Sequence, residues 1–185
     1  DQIKTLPTIV VDELIPYFMC SVESDLSALI ENRVPEAINI YIGNPGSQVS
    51  SGLSYVITDD SKTYGSLYSF FNAKTQVADI RAKINCSVFS QLNEKLFGNI
   101  LIPALVDCTT ICIANKGKCD TIYFSEINVQ QLLYFLRRFD FPLELHRTIS
   151  ELAPRLDHLR FDVGFDFVVE DATLVILKTG FYGVF

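Results

Sequence analysis

The sequence predicts an α+β fold in which pairs of strands alternate with pairs of helices. The hydrophobic spacing switches repeatedly between the helical and the strand period, and short alternating segments recur in pairs. These pairs return roughly every fifty to seventy residues, which is typical of a reused supersecondary unit. Hydrophobic residues make up 49% and charged residues 20% of the 185 residues, a globular composition. We therefore expect a single domain over residues 1–185, built from about three ααββ units.

The first part of the chain is predicted to form a helix followed by a strand pair. Apolar residues with helical spacing predict a helix over Val11–Asn32. Strict alternation predicts a strand over Ala37–Gly43, and Gly52–Thr58 forms the second strand. The loop between them contains Asn44-Pro45-Gly46, a strong turn signal.

Two helices and a second strand pair come next. Asp59-Asp60-Ser61 is typical of a helix start, and helical spacing continues to Phe71. A further helix is predicted over Ser87–Phe97, ended by Gly98. The strands Val106–Ala114 and Cys119–Glu126 then enclose a tight turn, Asn115-Lys116-Gly117-Lys118.

The last part repeats the same order. Asn128 is a predicted N-cap for a helix reaching Phe139, which Pro142 separates from a helix over Glu144–Leu156. The chain closes with two predicted strands, Arg160–Val169 and Thr173–Phe185, joined by a turn at Glu170-Asp171. Strand pairs lying side by side predict an antiparallel sheet with helices covering one face.

Charge and cysteine content exclude several classes of protein. The formal net charge is −7 and no basic face is evident, so nucleic acid and anionic membranes are poor partners. No apolar stretch is long enough to span a bilayer, and no secretory signal is present, which predicts a cytoplasmic protein. Five Cys among apolar neighbours predict buried free thiols. Cys108 and Cys112 lack further ligands nearby, so no metal site is predicted from them.

The strand faces turned away from the helices combine tyrosine with polar residues. Such a face suits a ligand groove or a barrel lumen, although ordinary solvent-facing strand positions give the same pattern. The residues on these faces are Asn39, Tyr41, Thr110, Cys112, Thr121, Tyr123, Asp162, Asp166, Lys178 and Tyr182.

Four short stretches carry a resemblance to a known family. They are Ser21–Ser27, Tyr68–Phe71, Arg81–Asn85 and Val163–Phe167, the last reading Val-Gly-Phe-Asp-Phe. In this order and spacing they resemble the cyanobactin prenyltransferases, which have the ABBA-type prenyltransferase barrel. The resemblance implies antiparallel strands inside a ring of helices.

The resemblance also implies an activity. The family transfers a dimethylallyl group from dimethylallyl diphosphate to a ribosomally made peptide, with Mg²⁺ assisting departure of the diphosphate. Tyrosine rings would shield the allylic cation, and Lys or Arg would hold the diphosphate. A carboxylate on the first strand would accept the proton of the acceptor.

Carried over to this chain, those roles fall on particular residues, each of which also has an ordinary structural interpretation. The predicted walls of the prenyl pocket are Tyr41, Tyr55, Tyr123 and Tyr182. Packing is the alternative for such strand aromatics. The predicted diphosphate ligands are Lys178, on a strand, and Lys83, near the rim. Asp162 and Asp166 alternate on one strand and could bind magnesium or accept a proton.

The chain departs from the family in three ways. It has fewer predicted strands than the complete barrel, so it would be a fragment, a shortened relative or a homo-oligomer subunit whose open edges pair. Asn39 stands where the family has its base, and an amide cannot accept a proton near neutral pH. The strand Cys119–Glu126 lacks the family's cations. A peptide-binding or prenyl-diphosphate-binding module without chemistry, a partner subunit and an α+β interaction domain therefore remain alternatives.

Overall fold

The computed structural model describes residues 18–22, 27, 30–44, 50–87, 89 and 94–184. Its contacts divide the chain into two compact units, Asp1–Tyr68 and Ser69–Phe185. Strand β4 crosses the division, and whether both units belong to one domain stays a prediction. None of the helices in the described part of the chain is long and apolar enough to cross a membrane.

The described part of the first unit consists mainly of strands, together with Ser27 and Ile30, which are helical as predicted. The strands are β1 (Phe18–Ser21), β2 (Ile38–Gly43), β3 (Ser51–Ile57) and the first part of β4 (Lys62–Asn72). β2 pairs antiparallel with β1 and with β3, and the strand order follows the chain. The predicted strands Ala37–Gly43 and Gly52–Thr58 are therefore confirmed to within a residue at each end.

The predicted helix Val11–Asn32 is wrong where β1 lies. Met19 and Cys20 pair with Tyr41 and Ile40 of β2, so backbone bonds to a neighbouring strand override the local helical spacing. Residues 11–17, 23–26 and 28–29 of that predicted helix lie outside the described residues.

The helix predicted from Asp59 to Phe71 is also wrong, because this segment forms β4. Its apolar residues imitate helical spacing, but the segment is rich in Thr, Tyr and Phe, which favour strands. Ring contacts support the strand: the centroids of Tyr55 and Tyr64 are 6.2 Å apart and those of Tyr41 and Tyr68 are 5.7 Å apart. These ring contacts connect β4 with β2 and β3.

The second unit combines a sheet with helices. Its sheet holds the end of β4 followed by β5 (Thr110–Lys116), β6 (Asp120–Ile127), β7 (Arg160–Glu170) and β8 (Thr173–Val184), with β5 to β8 antiparallel in chain order. Its helices are α1 (Val77–Asn85), α2 (Glu94–Ile100), α3 (Val129–Arg138) and α4 (Leu143–Leu156).

The first two of these helices differ from the prediction. No helix is predicted over the segment of α1. Of the helix predicted over Ser87–Phe97, Ser87 and Phe89 are not helical, residues 88 and 90–93 lie outside the described residues, and α2 continues through Gly98. Gly98 does not have a positive φ, so it lacks the left-handed conformation with which glycine ends a helix. The predicted strand Val106–Ala114 begins at Thr110, after a series of turns.

The cap at the start of α3 is confirmed. The Asn128 side chain accepts hydrogen bonds from the backbone N–H groups of Gln130 and Gln131, at 2.9 and 3.0 Å. The Gln131 side chain in turn accepts one from the Asn128 N–H at 3.0 Å. This reciprocal arrangement satisfies N–H groups that the first helical turn leaves unpaired. The helix predicted over Glu144–Leu156 is confirmed as α4, which begins one residue earlier, at Leu143.

The core of the second unit lies between one sheet face and the helices. Alternate residues of β5, β6 and β7 share this face with residues from all four helices. The sheet contributes Ile111, Ile113, Ile122, Phe124, Val163, Phe165 and Phe167, and the helices contribute Ile80, Ile84, Phe97, Ile100, Leu132, Phe135, Leu136, Ile149 and Ala153. The α+β class with an antiparallel sheet is therefore confirmed, whereas repeated ααββ units are not shown by the described elements.

The cysteines agree with the prediction in part. All five thiols are free, and Cys108, Cys112 and Cys119 are buried. Cys20 and Cys86 are exposed instead, because one lies on the short strand β1 and the other caps the end of α1.

We expect native thiol titration at pH 8 to modify Cys20 and Cys86 rapidly and to spare the other three. Burial raises the pKa of Cys108 to about 11, and it raises the pKa of Cys112 and of Cys119 as well. Because the thiolate is the reactive form, these groups react slowly even when reagent reaches them. A chromogenic disulfide reagent should report two fast thiols in native protein and five after unfolding. Any fast-reacting thiol in a Cys20→Ser, Cys86→Ser double variant would contradict the burial of Cys108, Cys112 and Cys119.

Candidate functional site: a polar sheet face in the second unit

The sheet face of the second unit that points away from the helices carries the candidate site, here called the polar face. Cross-strand pairs define it: Thr121 lies opposite Asp166 and Asp166 opposite Lys178. Its members are Cys112, Ala114, Lys116, Thr121, Tyr123, Ser125, Asp162, Gly164, Asp166, Lys178, Gly180 and Tyr182. The structure thus brings together five of the predicted site residues, Tyr123, Asp162, Asp166, Lys178 and Tyr182.

A charged row crosses the polar face. The Lys116 ammonium contacts both carboxylate oxygens of Asp166, at 2.7 and 2.9 Å, and the Thr121 hydroxyl donates to Asp166 Oδ1 at 2.6 Å. The side chains of Lys116 and Asp166 are 26% and 16% exposed, so water screens this pair less than a surface pair. With Lys178 opposite Asp166, the row holds two lysines and one aspartate.

Tyr123 and two glycines form the adjoining row, and Tyr182 lies in the row beyond it, opposite Asp162. A Cβ on Gly164 would lie 2.3 Å from Cδ1 and 2.8 Å from Cε1 of Tyr123, so this ring rests on the glycine backbone. Gly180 pairs with Gly164, and a Cβ on Gly180 would lie 3.7 Å from the Tyr182 hydroxyl. Covering a strand glycine with an aromatic ring compensates for its missing side chain. The arrangement places the Tyr123 ring beside the charged row and brings the Tyr182 hydroxyl close to Gly180 in the same row as Tyr123.

A bulge in β8 precedes Lys178. Phe167 pairs with Ile176 and Asp166 pairs with Lys178, which leaves Leu177 as an extra residue with 54% of its surface exposed. Bulges redirect neighbouring side chains and are frequent beside functional sites. The exposed Lys178 is thus set at a local irregularity of the strand.

Asp162 supports the end of the polar face. It accepts a hydrogen bond from the Glu126 N–H at 2.9 Å, where the β6–β7 register shifts and Glu126 has a φ of 64°. The Ser125 side chain also hydrogen-bonds to Asp162, while burial raises the pKa of this carboxyl group. Asp162 therefore has a structural role as an alternative to the predicted magnesium or proton role, because it stabilises the β6 bulge at which Glu126 adopts the left-handed conformation.

The pH dependence of the free energy of unfolding should reveal the raised pKa of the Asp162 carboxyl group. The pKa of Asp162 is higher in the folded than in the unfolded protein. Asp162 therefore contributes its full share of the free energy of unfolding below the pKa of the unfolded state, and this contribution is lost as pH rises through the pKa of the folded state. Asp162→Asn keeps an acceptor for the Glu126 N–H but cannot ionise. We therefore expect the free energy of unfolding of Asp162→Asn, minus that of the wild type, to increase with pH across the acid range and then level off. Denaturant titrations between pH 3 and 7 measure this, and a difference that falls with pH would contradict the assignment.

Another buried carboxylate, Asp120, belongs to the core side of the sheet. Its oxygens accept from Asn115 Nδ2 at 2.7 Å and from the Ser87 hydroxyl, and its side chain is almost fully buried. Ser87 also accepts from the Phe89 N–H at 3.0 Å. These bonds tie the segment after α1 to the β5–β6 hairpin, so we interpret Asp120 as structural.

The remaining predicted site residues do not lie on the polar face. Lys83 is in the last turn of α1, which belongs to the helical layer. Asn39, Tyr41 and Tyr55 are half-buried residues of the first unit. Tyr41 lies opposite Ser54 whereas Tyr55 lies opposite Ile40, so the two tyrosines occupy opposite faces of β2 and β3 and cannot line one pocket.

Sequence reasoning missed Lys116 and both glycines. Lys116 was placed in a turn, but β5 continues through it. Extending the alternation Cys112, Ala114, Lys116 by one step would have assigned it to the same face. No sequence signal distinguishes Gly164 and Gly180 from ordinary strand glycines, because their role depends on the rings that cover them.

The described residues do not fit a magnesium ion held by the protein alone. They contain no group of three or more His, Cys, Asp or Glu side chains that could ligate a metal. Asp166 is engaged by Lys116 and Thr121, and Asp162 by Glu126 and Ser125. We therefore derive no step through magnesium.

The chain was compared with protein families, curated proteins and solved structures. It matches no family model, and no curated protein or solved structure is significantly similar to it. Functional assignment therefore depends on the chemistry of the polar face.

Proposed function

We propose that the polar face binds a prenyl diphosphate and that the chain is a prenyltransferase, moving a dimethylallyl group from dimethylallyl diphosphate to a ribosomally made peptide. The fold that accompanies this proposal is an ABBA-type barrel with repeated helix and strand pairs. In the second unit, the antiparallel strands in chain order and the helices on one sheet face support it.

The observation that carries the proposal is the charged row beside the aromatic row. A diphosphate needs several cationic donors, and Lys116 and Lys178 stand on either side of Asp166. The formal net charge of the whole chain is −7. The two lysines and one aspartate of the charged row therefore have a charge opposite in sign to that of the chain as a whole. Charge-assisted bonds are strongest where water is excluded.

The neighbouring rings suit the prenyl end of such a donor. The faces of tyrosine rings attract cations, and an allylic carbon gains positive charge as the diphosphate leaves. In the register Tyr123 lies one row from Asp166 and Lys178, and Tyr182 lies two rows away. A donor with its diphosphate on the lysines would therefore extend its hydrocarbon chain over the tyrosines.

Calorimetric titration with dimethylallyl thiolodiphosphate, a donor analogue that resists cleavage, tests this proposal. We expect micromolar binding that Lys178→Met weakens about tenfold, since a hydrogen bond to a charged group contributes about 1.5–3 kcal/mol. Lys83→Met is the matched control, because it removes the same charge from the helical layer. Titrations with and without Mg²⁺ measure its contribution. Absence of binding at millimolar analogue would refute the proposal.

A second candidate is a binding module without chemistry. Asn39, at the place of the family's base, is half-buried on β2 and lies opposite Val56 and Ser21, so no carboxylate replaces it in these pairs. Incubation with dimethylallyl diphosphate and tyrosine-, tryptophan-, serine- and threonine-containing peptides distinguishes the two. An enzyme yields prenylated peptide by mass spectrometry, whereas a module binds the donor and yields none.

A homo-oligomer is the partner arrangement that the sheet edge supports. Among the described residues β8 is the last strand in the order and pairs with β7, and Ile176 and Leu177 on it are exposed. An apolar terminal strand is a template for pairing with another chain. Sedimentation should then give a mass above 20.8 kDa, which Leu177→Lys should return to 20.8 kDa.

A further inference from the structure

We propose that Asp166 occupies the place of the diphosphate in the ligand-free protein: it holds Lys116 until the donor takes that lysine, and it then accepts the proton of the acceptor. This inference rests on the proposed function and adds the proton acceptor that Asn39 cannot supply.

The geometry of the ion pair suggests the exchange. Lys116 contacts both oxygens of Asp166, at 2.7 and 2.9 Å, in the two-oxygen arrangement that a phosphate group also offers. Thr121 donates at 2.6 Å to Oδ1, so one oxygen has a partner that remains when the lysine leaves. The Asp166 carboxylate can therefore lose Lys116 without losing its position.

Competition for Lys116 follows from charge. A diphosphate carries more negative charge than a carboxylate and attracts the ammonium more strongly at equal distance. Because Asp166 and a diphosphate repel each other, both bind Lys116 best when the other is absent. Donor binding thus transfers Lys116 from one anion to the other and leaves Asp166 ionised with its Oδ2 available.

The chemical step then balances with the groups named. The acceptor nucleophile forms a bond to the allylic C1 carbon while the bond from C1 to the diphosphate oxygen breaks, its electron pair leaving with the diphosphate. The proton of the acceptor passes to Asp166, which later returns it to water. An acceptor that has attacked a cationic carbon is strongly acidic, so an ordinary carboxylate is basic enough.

Asp162 does not fit this role, although it lies on the same strand and face. It holds the Glu126 N–H and Ser125 at the β6 bulge and has no contact with a lysine among the bonds described. It therefore serves as the matched control for Asp166, since Asp162→Asn removes the same charge from the same strand.

Titration with inorganic diphosphate tests the competition. We expect Lys116→Met to weaken binding about tenfold. Asp166→Asn should strengthen binding about fivefold, which corresponds to about 1 kcal/mol of binding free energy. Measured against Lys116→Met, the strengthening should be clearly smaller in the Lys116→Met, Asp166→Asn double variant, because only the direct repulsion between the two anions is then relieved. Asp162→Asn should bind like the wild type, and thermal unfolding should show that all variants fold.

The outcomes separate this inference from the proposed function. If wild-type protein binds neither inorganic diphosphate nor the thiolodiphosphate, the proposed function fails. If wild-type protein binds but Asp166→Asn binds no tighter, or tightens equally without Lys116, the exchange is refuted while the diphosphate site stands.

Turnover tests the proton transfer. With dimethylallyl diphosphate and an acceptor peptide, Asp166→Asn should lower kcat at least a hundredfold although it binds the donor more tightly than the wild type. The acid limb of the wild-type pH–kcat profile should disappear in the residual activity of this variant. Undiminished turnover by Asp166→Asn would overturn the assignment of the proton acceptor.

Discussion

Gly164→Ala is expected to lower the free energy of unfolding by about 3 kcal/mol, the upper part of the range for overpacked sites. The added Cβ would lie 2.3 Å from Tyr123 Cδ1 and 2.7 Å from the Ile122 carbonyl oxygen. The ring could rotate away, but the carbonyl belongs to the β6 ladder and cannot. Denaturant titration measures the change.

Gly180→Ala is the control for this prediction. Gly180 lies directly opposite Gly164, and its added Cβ would come no nearer than 3.7 Å to the Tyr182 hydroxyl, an ordinary contact. We expect a change below about 1 kcal/mol. Equal losses for the two variants would contradict the close approach of Tyr123 to the sheet.

Phe135→Ala should remove about 3–5 kcal/mol of stability. Phe135 is fully buried on α3, and its ring centroid is 4.7 Å from that of Phe139 and 5.9 Å from that of Phe141. Truncation leaves a cavity between helix and sheet that these neighbours fill only in part. The thermal midpoint and the denaturant midpoint should both fall.

Tyr134→Ala tests the neighbouring position on the same helix. Tyr134 is 39% exposed, so its truncation should cost less than about 1 kcal/mol. A larger loss for Tyr134 than for Phe135 would mean that α3 presents a different face to the sheet.

The second unit was more predictable than the first because its elements obey local rules. Asn128 with Gln131 forms a complete cap, and Pro142 separates α3 from α4. The β7–β8 hairpin follows from alternation and from its turn. In each case residues close in sequence determine the structure.

The first unit shows where local reasoning failed. β1 and β4 have apolar spacing that resembles a helix, yet each forms a strand within a sheet. Pairing depends on residues far along the chain: Cys20 pairs with Ile40, twenty positions away. No short window of sequence contains that information.

The candidate site was predictable in part for the same reason. Alternation placed Asp166 and Lys178 on one face, and the structure confirms that they are directly opposite. Lys116 could not be recognised as the partner of Asp166, because fifty residues separate them and the strand was ended two residues early. Whether Tyr41 and Tyr55 share a face could not be predicted, because the register between β2 and β3 decides it.

The central claim is that a prenyl diphosphate lies on the polar face, and carbon NMR of protein labelled at its eight Tyr tests it most directly. Dimethylallyl thiolodiphosphate should shift the ring signals of Tyr123 and Tyr182, identified with Tyr→Phe variants, and leave that of Tyr134 on α3 unchanged. Shifts confined to other tyrosines, or none at millimolar analogue, would contradict the account.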